Sequence, residues 1–226
     1  MMGRWLSVVC GASAGLGPAV LDAMAALGDP VVGVASPRSD PEKLAALRPD
    51  VQWLRADLAD PDAVEALWRT IDDLGEVRRL VNLTGGFAGG RVIETSPRVV
   101  REMLRVNLET AWWSSREAAR RMTALGGGTI VNVGSVAGVE LRGGAAAYAV
   151  SKAALHALTE VLSDELRSAG VGVNAVAPGT IDTPANRAWM RPADLAKAVS
   201  PQRVAEAIVS FCKPSPFVTG QVVQVV

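Results

Sequence analysis

Gly11-Ala12-Ser13-Ala14-Gly15-Leu16-Gly17 follows the apolar run Trp5 to Cys10 and precedes a helix start near Pro18. A β-branched run, a glycine-rich turn and a helix start in that order form the junction with which a nucleotide-binding parallel sheet begins. Glycines let the backbone turn sharply and come close to a pyrophosphate, and the next helix offers the anion its N-terminal amides and positive dipole end. The spacing is Gly-x3-Gly-x-Gly, not the commoner Gly-x-Gly-x2-Gly, and a plain tight turn is the competing reading. Its position after the first strand favours a dinucleotide cofactor held by Gly11, Ser13, Ala14, Gly15, Leu16 and Gly17.

Outward from this turn, short β-branched runs alternate with helix-length stretches rich in Ala and Leu. Trp5 to Cys10, Val31 to Ala35, Val51 to Leu54, Leu80 to Leu83, Thr129 to Val133, Val171 to Ala177 and Gln221 to Val225 read as strands. Apolar strands separated by helices predict a parallel sheet covered on both faces and joined by right-handed crossovers. The expected fold is α/β, a three-layer doubly wound arrangement with seven parallel strands. No linker or low-complexity tract divides residues 1–226, so one domain is expected.

The 23 basic and 23 acidic residues cancel, and no basic cluster stands out. That balance gives no electrostatic reason to expect nucleic acid or an anionic membrane as partner. No apolar run approaches the roughly 20 residues of a bilayer span, and Met1-Met2-Gly3-Arg4 leads directly into a strand-like run; a cytoplasmic protein is expected. Cys10 and Cys212 lie in apolar segments and read as reduced, buried thiols. The single histidine, His156, has no Cys or His cluster around it, so no metal site is expected and the residue reads as structural.

In an open doubly wound sheet, ligands bind at the carboxyl ends of the strands, and the informative residues collect there. After the second strand, Val34-Ala35-Ser36-Pro37-Arg38 has no carboxylate for a ribose 2'-hydroxyl. Ser36 and Arg38 suit a 2'-phosphate, which an arginine fork matches, so NADP(H) is favoured over NAD(H); an arginine solvated in a loop is the alternative. Asp57-Leu58 stands where an adenine ring would rest, or Asp57 caps a helix. The fourth strand runs into Asn82-Leu83-Thr84-Gly85-Gly86-Phe87-Ala88-Gly89-Gly90, which suggests backbone close to a ligand, with flexible filler as the rival reading. The sixth leads to Pro178-Gly179-Thr180-Ile181-Asp182-Thr183, a rigid turn suited to a nicotinamide carboxamide, or a simple loop. Ala185 to Ser200, with Trp189 and Met190, reads as a lid.

The fifth strand ends in Asn132-Val133-Gly134-Ser135, where a serine hydroxyl faces the same crevice and suits a substrate carbonyl oxygen. Next comes Tyr148-Ala149-Val150-Ser151-Lys152. On a helix, residues four apart share a face, so the phenol lies beside an ammonium. A cation there favours phenolate and brings a pKa of about 10 toward the working range. Asn107 lies inside a long helical stretch, roughly Arg98 to Leu125, where an asparagine by itself carries little weight. The tryptophans of Trp112-Trp113 suit core or subunit contacts. Small, apolar residues after Lys152 favour close helix packing across a two-fold axis, so a homodimer or homotetramer through Arg98 to Leu125 and Tyr148 to Ser168 is expected.

In this order and approximate spacing, Gly11-x3-Gly15-x-Gly17, Asn82 to Gly85, Asn107, Ser135, Tyr148-x3-Lys152 and Pro178-Gly179 resemble the short-chain dehydrogenase/reductase family over essentially the whole chain. The resemblance implies a Rossmann fold and an NAD(P)-dependent oxidoreductase. It implies that Ser135 holds a substrate carbonyl, Tyr148 donates or accepts the proton, and Lys152 binds the nicotinamide ribose and lowers the phenol's pKa. It also implies that Asn107 supports a water relay and that Asn82, Thr84, Gly85, Pro178, Gly179, Ile181 and Thr183 contact the cofactor. Two stretches, Gly85 to Gly90 and the tail from Thr180 to Arg187 and Gln221 to Val226, are similar to quinoid dihydropteridine reductases. Ser135 departs from that likeness and points to a carbonyl rather than a quinonoid substrate. A non-catalytic dinucleotide sensor on the same fold is a third reading.

Overall fold

Parallel pairing along one sheet sets the architecture. The computed structural model describes residues 5–213 and 218–226; Met1 to Arg4, where the expectation about the start of the chain falls, lie outside them. The strands are β1 (Trp5–Cys10), β2 (Val31–Ala35), β3 (Gln52–Arg55), β4 (Glu76–Asn82), β5 (Gly128–Val133), β6 (Val171–Pro178) and β7 (Val222–Val225). They form one seven-stranded sheet in the order β3-β2-β1-β4-β5-β6-β7, every neighbouring pair parallel. The chain winds outward from β1 to β3, then returns to lay β4 on the other side of β1. The crevice beyond the carboxyl ends of β1 and β4 is therefore the switch point where such sheets bind ligands.

The helices are α1 (Gly17–Ala25), α2 (Pro41–Leu47), α3 (Pro61–Asp72), α4 (Pro97–Leu104), α5 (Thr110–Ala124), α6 (Val136–Glu140), α7 (Ala146–Leu166), α8 (Pro184–Arg187), α9 (Pro192–Leu195) and α10 (Pro201–Phe211). Strand alternation splits the core in two. Leu6, Val8, Leu80 and Ile130 meet Val64, Leu67, Trp68 and Ile71 of α3 and Ala118 and Met122 of α5 on one face. Val9, Val81, Val131 and Val176 meet Val20, Leu21 and Met24 of α1 and Val204 and Ile208 of α10 on the other. The α3 contacts recur at i, i+3, i+4 and i+7, one face of a helix, and Asp60 accepts from the amides of Asp62 and Ala63 to cap it.

Two boundaries differ from expectation by more than one residue. β4 begins at Glu76, four residues before the expected start, because its arginines find tertiary partners. Arg79 donates to the Cys212 carbonyl at 2.8 Å and pairs with Asp29, while Arg78 donates to the Gly127 carbonyl at 2.8 Å and lies 5.0 Å over the Trp5 ring. The helical stretch expected from Arg98 to Leu125 is broken by a π turn at Arg105–Glu109, and Asn107 sits in it, fully buried. Among the described residues, no helix is long and apolar enough to cross a membrane.

Candidate active site

A cleft of about 1390 Å³ opens at the carboxyl edge of the sheet. Pockets for drug-sized ligands span roughly 300–1,000 Å³, so the volume suits a dinucleotide together with a substrate. Its floor at one end is the β1–α1 turn. Gly17 opens α1 because a Cβ there would lie 2.1 Å from the Ala12 carbonyl oxygen, so the helix can pack this closely only without a side chain. Among the described residues, six helices carry side-chain caps, α2, α3 and α10 included, but Leu16 supplies none to α1. Gly17 N donates to the Ala14 carbonyl at 2.9 Å and Pro18 has no amide proton, so in the first turn of α1 the Ala19 amide is the one left as a donor for an anion.

Gly11, Ser13, Ala14, Gly15 and Leu16 line this end of the cleft, with Ser36 and Arg38 at its far corner. Ser36 Oγ accepts from the Arg38 amide at 3.3 Å, and Arg55 braces the loop by donating to the carbonyls of Pro37 at 3.4 Å and Ser39 at 3.1 Å. Asp57 and Leu58 also line the cleft. The helix-cap reading of Asp57 gives way, since Asp60 caps α3 and Asp57 Oδ2 lies 2.5 Å from Arg105 Nη2 while Oδ1 accepts from the Ala59 amide at 3.0 Å. Sequence reasoning passed over Arg105 because nothing local to it marks a partner 48 residues away.

At the other end stand Ser135, Tyr148 and Lys152. β5 delivers Ser135 at the start of α6, where its Oγ accepts from the Ala137 amide at 3.2 Å and keeps its proton free to donate. α7 carries Tyr148 and Lys152 one turn apart. Lys152 is 4 % exposed, and its Nζ donates to the Val133 carbonyl at 2.9 Å. Burial lowers the Lys152 ammonium to about 8. Burial raises the Tyr148 phenol, and a hydrogen bond with Ser135 draws it back only in part. The lowering expected of Lys152 does not appear in the chain alone, where burial outweighs the Ser135 hydrogen bond at the Tyr148 phenol.

Asn107 and Asn82 do not line the cleft. Asn107 Oδ1 accepts from the Gly86 amide at 2.9 Å, and Nδ2 donates to the Gly86 carbonyl at 3.1 Å and to Ser151 Oγ at 3.0 Å. It ties the glycine loop to α7 from behind. Asn82 Nδ2 donates to Ser115 Oγ at 3.0 Å and Asn132 Oδ1 at 2.9 Å inside the molecule. Its expected cofactor contact is corrected to an internal brace, because its side chain points into the layer under α5. Thr84, Gly85, Pro178, Gly179, Ile181 and Thr183 do line the cleft, and Thr183 Oγ1 also caps α8 by accepting from the Asn186 amide at 3.3 Å.

His156 proves more than filler. Its Nε2 lies 3.4 Å from the Ser135 amide as acceptor, and a Cβ on Gly134 would come within 2.0 Å of it. The imidazole thus backs the turn that presents Ser135. Burial lowers its pKa, helped by the charge of Lys152, so it stays a neutral acceptor. The segment expected as a lid folds as α8 and α9, tied at its base where Asp182 N donates to the Val199 carbonyl at 2.9 Å and Val199 N to the Thr180 carbonyl at 2.8 Å. Phe87 and Trp189 both line the cleft with nearly parallel rings, and Phe87 also packs edge-on against Tyr148.

Two observations test whether these residues fit a nicotinamide dinucleotide. Thr84 Oγ1 is buried and unpartnered beside the glycine turn, and Lys152 Nζ makes a single hydrogen bond although an ammonium carries three protons. Both supply polar groups that a bound ribose or phosphate would satisfy, so the residues fit.

The sequence profile described as short chain dehydrogenase matches residues 6–194. A galactitol 2-dehydrogenase from Rhizobium johnstonii is 33 % identical over 97 % of this chain and 92 % of its own length. The 3-oxoacyl-(acyl-carrier-protein) reductase of Vibrio cholerae is 30 % identical over 97 % and 95 %. The solved structure of a short-chain dehydrogenase/reductase from Serratia marcescens superposes with a TM-score of 0.88 at 29 % identity, covering 97 % of this chain and 95 % of that one. With the doubly wound sheet and the lined crevice, these matches make the chain an NAD(P)-dependent oxidoreductase that belongs to the short-chain dehydrogenase/reductase family.

Proposed function

We propose that this protein reduces a carbonyl compound, with Tyr148 as proton donor and NADPH as the preferred cofactor. The observation that carries the reading is the meeting of Ser135 and Tyr148 hydroxyls above a buried Lys152 in the cleft. When bound, the nicotinamide supplies the hydride to the carbonyl carbon. Ser135 donates a hydrogen bond to the carbonyl oxygen and stabilises the charge that develops there. Tyr148, held protonated at neutral pH by burial, passes its phenolic proton to that oxygen. Lys152 would meet the ribose, Asn107 fixes the Gly85-Gly86 backbone, and Ser13 with the Gly11 to Gly17 turn would hold the pyrophosphate. Ser36 and Arg38, with no carboxylate among residues 34–38, suit the 2'-phosphate of NADPH.

Tyr148→Phe removes the proton and keeps the ring. The expected result is a loss of roughly 10²- to 10⁴-fold in kcat with cofactor affinity held within about twofold. Equal turnover by the variant overturns the assignment. The exposed apolar positions Trp112, Val150 and Val161 on α5 and α7 further support a homo-oligomer through these helices. Light scattering on the purified chain at micromolar concentration reads this directly, and a monomer there excludes it.

A further inference from the structure

The cleft carries an aromatic surface that the proton-transfer chemistry does not use. Phe87, from the loop after β4, sets its ring 5.1 Å from that of Tyr148 at 70°. Trp189, from the segment between α8 and α9, lies 6.3 Å from Phe87 with the two planes only 13° apart. Phe87 is 60 % exposed and Trp189 65 %, and both line the cleft. Large apolar rings left in water at a cleft mark a surface meant for a ligand. Their orientation says which kind. A flat ring laid parallel to one is nearly parallel to the other, and aromatic pairs gain from offset stacking beyond the area they bury. A puckered ring of equal size buries similar area and gains no such term. The T-shaped contact puts this platform directly against the proton donor, so a group attached to the reacting carbonyl reaches it without a spacer.

We infer that the substrate is an aryl ketone or aldehyde, its carbonyl held by Ser135 and Tyr148 and its flat ring laid against Phe87 and Trp189. The inference rests on the carbonyl-reductase reading above and adds the class of group on the carbonyl carbon. It makes Phe87 and Trp189 determinants of specificity, supplied by two segments that differ in chain position by about a hundred residues.

The test compares acetophenone with cyclohexyl methyl ketone, alike in size and differing in flatness, in the parent and in Trp189→Leu and Phe87→Leu, which keep apolar bulk and remove the ring. The acetophenone-to-cyclohexyl ratio of kcat/KM is expected to fall about 2- to 12-fold in each variant, with NADPH affinity unchanged. An unchanged ratio overturns the inference, and so does a rise in NADPH Kd that accounts for the loss, since the rings would then serve the cofactor. A second arm needs no turnover: calorimetry with 1-phenylethanol and 1-cyclohexylethanol on the NADPH-free chain. Tighter binding of the aryl alcohol, lost in Trp189→Leu, supports the inference; equal affinities sink it. Should neither ketone be reduced while the aryl alcohol still binds more tightly, the carbonyl-reductase reading fails and aromatic recognition stands.

Discussion

The two ends of the cleft are built by different means. The cofactor end uses main-chain groups, namely the turn from Gly11 to Gly17 and the uncapped start of α1, all within one βα unit. The catalytic end uses side chains brought from β5, α7, the loop after β4 and the segment after β6. Backbone recognition is local and tolerates most changes of side chain that spare its small residues. Side-chain chemistry is distributed, and each member depends on partners that fix its proton and its direction. His156 behind Ser135 and Asn107 behind Gly86 are such partners. Catalytic-end substitutions should therefore lower turnover and leave affinity, and cofactor-end substitutions should do the reverse.

After Tyr148→Phe, the largest effect expected on that contrast is at Ser135. Ser135→Ala removes a donor to the developing oxyanion and should lower kcat roughly 10²- to 10³-fold while NADPH titrations coincide with the parent. A matching fall in cofactor affinity would erase the distinction between the ends. Next is the pH dependence of Lys152. Its folded pKa, about 8, lies below the ordinary lysine value of 10.5, so the buried ammonium destabilises the fold at neutral pH. Between pH 8 and 10.5 the unfolded chain binds more protons, and stability should rise with pH through that window. Thermal melts of the cofactor-free parent against Lys152→Met should show the parent gaining on the variant across that range, and parallel pH curves would count against the burial argument.

A smaller change tests the backbone end. Gly17→Ala places a Cβ against the Ala12 carbonyl, where something must shift; overpacking of this kind costs about 1–3 kcal/mol. A Tm lowered by several degrees with weakened cofactor binding is expected, and a variant as stable as the parent would show that the turn is not tight. Smallest is Arg38→Ala. Losing one charged hydrogen bond should raise the NADPH Kd roughly tenfold and spare NADH. If the parent binds NADH more tightly, the preference for NADPH is wrong.

Family resemblance leaves the substrate open, as the two relatives illustrate: one is named for a polyol and the other for an acyl-carrier thioester. On the proposed function, the loops Phe87 to Glu94, Val139 to Ala147 and Ala185 to Ser200 shape the substrate end of the cleft. Their conformations depend on anchors such as the Gly90 amide to the Gly144 carbonyl at 2.8 Å, between segments without a shared periodic pattern.

The sheet was legible in the chain itself because strand burial imposes a pattern: β1 and β2 begin and end where the β-branched runs do. The expected β4 began at the apolar run from Leu80, and only the distant acceptors of Arg78 and Arg79 explain their place in the strand. The same holds in the site. Tyr148 and Lys152 share a face by helical spacing alone, and the glycine turn declares itself by position, so local geometry suffices for both. The direction of the pKa shifts is another matter, since desolvation depends on what covers a group from every side. So do the inward turn of Asn82, the Asp57–Arg105 pair and the imidazole behind Ser135. The sequence by itself determined the order of strands and helices and the residues able to do the chemistry. Tertiary structure alone decided which of them face the cleft and in what protonation state, because burial and partnership across tens of residues are properties of the packed molecule.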